Sequence, residues 1–110
     1  MEIVKAIKDY MEDAGINYAD AAKMIGWTKP NLWDKLNKRT ELTFGSVVQI
    51  VRGLGADLRL TNVRGNANSA LVERFIDAVQ EERVSYNCVE KILGVLGYKI
   101  EVYFPKPESK

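Results

Sequence analysis

The sequence predicts a mainly α protein: four helices, a short strand, two more helices and a second short strand. Three observations predict it. Apolar residues recur every three or four positions through most of the chain, the period of a helix with one buried face. Cap-forming side chains and glycines punctuate these stretches. Two short runs alternate apolar with polar residues instead, the period of a half-buried strand.

The first helix carries Ile3, Val4, Ile7 and Met11 on one side, with Lys5, Lys8, Asp9 and Glu12 between them. Gly15 is its stop. Asn17 can cap a second helix running through Tyr18, Ala22 and Ile25 to Gly26. Thr28 can cap a third, and Pro30 in its first turn costs no needed donor. Leu32 and Leu36 form the buried stripe of that helix, and residues 37–40 make a polar exit. Thr43 caps a fourth helix with Val47, Ile50, Val51 and Leu54, closed by Gly53 and Gly55. Leu58, Leu60 and Val63 then alternate with polar residues as a strand.

Residues 65–68, Gly-Asn-Ala-Asn, are the one linker-like stretch. A fifth helix follows with Leu71, Val72, Phe75, Ile76 and Val79. Ser85 caps a sixth, with Val89, Ile92, Leu93 and Leu96, stopped by Gly97. Ile100, Val102 and Phe104 alternate as a second strand, ended by Pro105.

Residues 42–60, LTFGSVVQIVRGLGADLRL, align without gaps on residues 84–102, VSYNCVEKILGVLGYKIEV, at an offset of 42. Phe44 meets Tyr86, Val47 meets Val89, Ile50 meets Ile92, Leu54 meets Leu96 and Gly55 meets Gly97. Two readings fit: convergence on a common helix–Gly–strand pattern, or duplication of one unit. The two strands need partners under either reading, because a lone strand leaves backbone donors unmet. They can pair with each other or across a two-fold axis.

Composition narrows the function classes. The chain is 46% hydrophobic and 28% charged, ordinary for a globular domain. No apolar run approaches the roughly 18 residues that cross a bilayer. The first residues mix charge with apolar groups, unlike a signal peptide. With Cys88 alone, no internal disulfide can form, and a reducing, cytoplasmic setting is expected. There is no histidine, the commonest general base and zinc ligand. No enzyme activity, metal or cofactor is expected. Net charge is only +1, but it is uneven. Residues 1–66 hold ten Lys/Arg against eight Asp/Glu, and residues 67–110 hold six against seven. Residues 28–39 hold Lys29, Lys35, Lys38 and Arg39 against Asp34. A local basic patch on a near-neutral chain suits a selective nucleic-acid binder.

One spacing carries this further. Two helices that cross closely need a small residue at the contact, a residue tolerant of positive φ four positions on, and an aliphatic six beyond that. Ala22, Gly26 and Leu32 meet these three needs, and Ile25 and Trp27 flank the glycine with apolar groups. With its caps and supporting helices, the stretch GINYADAAKMIGWTKPNLWDKLNKRTELTFGSVVQIVRGLGADLRL resembles the lambda-repressor-like helix-turn-helix proteins: phage repressors, Cro proteins and their bacterial relatives, the XRE family. The resemblance covers about residues 3–63. It departs at Lys35, where many members carry an aliphatic residue and where Leu36 takes that role here. A lysine there can lay its stem on the core and send its ammonium outward.

The resemblance implies a helix-turn-helix DNA-binding domain over residues 1–64, with residues 65–110 as a C-terminal helix-helix-strand dimerisation extension. In that fold the outer face of the third helix enters the major groove. Base contacts are then expected from Lys29, Asn31, Asp34 and Lys35. Asn31 is the best reader, since its amide can pair bidentately with adenine. Asp34 can accept from cytosine or serve as a solvated partner of Lys38. Trp33 can pack or make an apolar groove contact, and Lys23 reads as plainly solvated. Phosphate contacts are expected from Tyr18 and Thr28 and, after the helix, from Lys38, Arg39, Thr40 and Thr43.

One such domain makes few contacts, and the family answer is a homodimer on a pseudo-palindromic site. Leu71, Phe75, Ile76, Val79, Ile100 and Val102 are the expected dimer surface. Cys88 is expected to be buried and unreactive. The expected partners are therefore double-stranded DNA and a second copy, with no membrane, and the expected role is a transcriptional repressor of a phage, mobile element or bacterium. A second reading makes the scaffold an antitoxin or a phage inhibitor whose partner is a toxin or host protein.

Overall fold

Local capping chemistry sets where the helices begin. Asn17 Oδ1 accepts the Asp20 amide at 2.8 Å, and Thr28 Oγ1 accepts that of Asn31 at 3.3 Å. Thr43 Oγ1 accepts the Ser46 amide and Ser85 Oγ that of Cys88, each at 3.1 Å. Each such cap contributes about 1 kcal/mol by satisfying an amide that the helix cannot. The computed structural model describes residues 2–38, 41–63 and 69–105. Along them run α1 (Glu2–Ala14), α2 (Tyr18–Ile25), α3 (Lys29–Asn37), α4 (Phe44–Gly53), β1 (Asp57–Asn62), α5 (Ser69–Gln80), α6 (Tyr86–Val95) and β2 (Tyr98–Tyr103). The protein is mainly helical, with one small antiparallel sheet. The predicted linker at 65–68 and the tail at 106–110 lie outside the described residues.

A single apolar core runs through both halves of the chain. Ile7, Leu32, Phe44, Val47, Ile50, Val51, Leu54, Val89 and Leu93 are almost wholly buried in it. Helix α4 is its centre, packing on α2, α5, α6 and β1. Gly53 lets α2 come close: a Cβ there would lie 2.7 Å from Ile25 Cα. Helix α1 buries Ile3, Ile7 and Met11, and its Tyr10 stacks on Phe104 at 4.7 Å.

Strands β1 and β2 pair with each other, which decides between the two arrangements open in the sequence. Leu58 faces Val102 and Leu60 faces Ile100 on the core side. On the other side Arg59 faces Glu101, bonds Asp57 at 3.1 Å and lies 4.9 Å from the Tyr103 ring centroid. The Tyr103 hydroxyl donates to Glu101, which, with a bond from Thr61, holds that carboxyl below its ordinary pKa.

Several apolar residues depart from expectation. Val63 is exposed, because it follows the strand and lies out of step with the inward parity of Leu58 and Leu60. Ile76 and Val79, expected on a dimer surface, face inward beside Val72, while Leu71 is exposed. Helix α6 buries Val89 and Leu93 but leaves Cys88, Ile92, Val95 and Leu96 exposed. The expectation of a buried Cys88 is thus corrected. Its helix presents an apolar stripe that no described element covers.

Candidate nucleic-acid interface

The α2–turn–α3 unit is built as the spacing of its residues requires. Ala22 is buried, and its carbonyl accepts from the amides of Gly26 at 2.8 Å and Trp27 at 2.9 Å. Gly26 takes φ +88°, a left-handed turn that ends α2 without strain only in glycine. Thr28 then opens α3, whose Leu32 and Leu36 anchor it to the core.

Those two anchors leave the opposite side of α3 outward. Lys29, Pro30, Asn31, Trp33 and Lys38 are exposed, and Asp34 and Lys35 are half-buried. Trp33 is 43% exposed, and the Lys38 ammonium sits over its ring at 5.7 Å. The exposed indole therefore supports a cation at the end of the helix. Lys29, Asn31, Asp34 and Lys35 lie on this one short helix and Thr28 and Lys38 cap it, so six of the predicted contact residues share one element.

The residue that ties this face to the rest was not singled out in the sequence. Asn37 uses all its side-chain groups. Its Nδ2 donates to the Tyr18 hydroxyl at 3.0 Å and to the Trp33 carbonyl at 2.9 Å, and its Oδ1 accepts from Lys8 Nζ at 3.0 Å. One amide thus links α1, α2 and α3. Nothing local signals this, because Lys8 and Tyr18 lie 29 and 19 residues away in sequence. Tyr18, which accepts from Asn37, still has its own phenolic hydrogen to donate to an anion.

Other predicted positions differ. Thr28 is exposed at the start of α3, with its oxygen serving as the cap. Thr43 is half-buried, donates to Ser46 Oγ at 2.9 Å and bridges to Ser85, so its donor is already used away from α3. Arg39 and Thr40 lie outside the described residues. Of the expected dimer surface, Ile76, Val79 and Ile100 are buried within the chain, and Phe75 and Val102 are half-buried against its core. Only Leu71 stands free of it, at 61% exposure.

Among the described residues no group of three or more His, Cys, Asp or Glu gathers as a metal site would need, and no helix is long and apolar enough to cross a membrane. In comparisons with known proteins, no family model, no curated protein and no solved structure matches this chain.

Proposed function

We propose that this protein is a sequence-specific DNA-binding transcriptional regulator, a repressor, of the lambda-repressor-like helix-turn-helix type. Helix α3 is its recognition helix. The observation that carries the reading is the two-sidedness of α3: Leu32 and Leu36 buried, Lys29, Asn31 and Lys38 exposed. A helix so anchored offers base-reading and cationic side chains to the major groove with little ordering cost. Asn31 reads a base edge, with Lys29 and Lys35 reaching guanine acceptors or phosphate. Tyr18 and Lys38 fix the register on the backbone. Selection of bound duplexes from a random library, followed by anisotropy titration at several salt concentrations, tests it. An enriched motif and a log–log salt slope of several units are expected. No enrichment, with no binding at low salt, would remove DNA from the account.

The bare stripe on α6 favours a second reading, in which the chain binds a protein such as a toxin or host factor. Cys88, Ile92, Val95 and Leu96 make a contiguous apolar face, and Val95 is 81% exposed. Under that reading Val95→Asp abolishes partner capture, while Asn31→Ala leaves it intact.

A further inference from the structure

The two repeated segments are joined as the halves of a two-fold dimer are joined. The Phe44 amide donates to the Val84 carbonyl at 2.8 Å, and the Tyr86 amide donates to the Leu42 carbonyl at 2.8 Å. At an offset of 42 these are one bond and its mirror partner: Phe44 corresponds to Tyr86, and Leu42 to Val84. Residues on a two-fold axis meet their own equivalents, and two pairs do so. Thr43 bridges to Ser85, and Arg59 pairs with Glu101. On either side of the second pair, Leu58 faces Val102, the equivalent of Leu60, and Leu60 faces Ile100, the equivalent of Leu58. The Phe44 and Tyr86 rings stack at 6.1 Å between the two helices. The helix ends repeat too: Leu54 and Leu96 donate to Ile50 and Ile92, and Gly55 and Gly97 take φ +84° and +89°. This is the reciprocity of an isologous interface, made within one chain.

The symmetry stops at the reading head. On α4, Gly53 admits Ile25 of α2, and α3 follows. The equivalent of Gly53 on α6 is Val95, and no described helix pair packs on it. The internal interface therefore joins one unit that carries a recognition helix to one that carries none.

We infer that the DNA ligand is a single, non-palindromic half-site, bound by one chain. The inference rests on the DNA-binding reading above. The second repeat occupies in cis the surface a second copy would use, and of the six residues expected on a dimer surface all but Leu71 pack into the core of the same chain. It also replaces the homodimer on a two-fold operator that the sequence suggests.

The test uses the full chain. Sedimentation equilibrium at micromolar concentration is expected to give the mass of one chain, and selection from random duplexes to give a motif without inverted repetition. Placing that motif twice, inverted, one helical turn apart should tighten binding by only about two-fold, the statistical gain of independent sites. A two-chain mass, a palindromic motif, or on the order of a hundred-fold tightening on the doubled site would overturn the inference. A one-chain mass with no enriched motif and no low-salt binding has a different meaning. It takes down the DNA-binding reading, and the half-site with it.

Discussion

The Asn37 side chain donates to the Tyr18 hydroxyl at 3.0 Å, joining the end of α3 to the start of α2. It does so while bonded to Lys8, so the pose of α3 depends on two other helices. An exposed hydrogen bond of this kind is worth about 1 kcal/mol or less. Asn37→Ala is therefore expected to cost about 1 kcal/mol and lower the melting temperature by roughly 4–8 °C. In a double-mutant cycle with Tyr18→Phe the coupling should be about 0.5 kcal/mol or more. Strictly additive losses would show that the link does not hold the helices.

Two glycines in helices should respond in opposite directions. A methyl group at Gly53 would lie 2.7 Å from Ile25 Cα, a backbone atom of a packed helix that cannot swing aside. Gly53→Ala should destabilise by about 1–3 kcal/mol and push α2 off α4. Gly94 has nothing within 4 Å of its would-be Cβ and sits inside α6. Gly94→Ala should stabilise by about 0.5–1 kcal/mol through lower backbone entropy of the unfolded chain. Denaturant midpoints of the two variants decide this, and a destabilised Gly94→Ala would contradict the open space beside it.

What could be read from the sequence divides along physical lines. The caps Asn17, Thr28, Thr43 and Ser85 were legible because an oxygen and an amide three residues apart find each other locally. The buried Leu32 and Leu36 followed from helical period. The repeat was legible as spacing, but its two-fold arrangement was not. Antiparallel pairing of β1 with β2 depends on how α4 and α6 meet, which no local pattern states. Cys88 was misjudged for a related reason, and Ile92 and Leu96 stand exposed on the same helix and its C-cap. Periodicity shows which residues are apolar, while burial needs a partner, and among the described residues no helix covers on α6 the positions that are covered on α4. The Lys8–Asn37–Tyr18 link, made of polar groups far apart in sequence, left no signature.

Under the DNA-binding reading, α3 and its exit divide into readers and anchors, and three substitutions separate them. Asn31 is exposed in the first turn of α3, where its amide can meet a base edge. Asn31→Ala should cost about 1–3 kcal/mol on the selected motif and little on random DNA. Lys38, at the other end, offers charge without pattern. Lys38→Ala should weaken binding to every sequence alike and reduce the salt slope by about one, and Arg39→Ala the same. Equal losses on motif and random DNA in all three variants would remove Asn31 from base reading.

Alkaline pH should loosen the junction between the two repeats. Burial, and then the nearby Glu90 charge, push the Tyr86 hydroxyl up to about 12 from an ordinary 10.0. The folded chain thus holds that proton through a pH range in which the unfolded chain releases it. Stability from the neutral phenol is complete below pH 10.0 and drains away as pH rises toward about 12. The loss from this group by the upper end is about 2–3 kcal/mol. Tyr86→Phe keeps the ring that stacks on Phe44 and removes the titration. Urea titrations from pH 9 to 12 should show the gap between the Tyr86→Phe variant and the parent shifting in favour of phenylalanine, chiefly above pH 10. A gap that stays constant across that range would mean the Tyr86 hydroxyl reaches water, and that the interface between the repeats is more open than its stacked rings indicate.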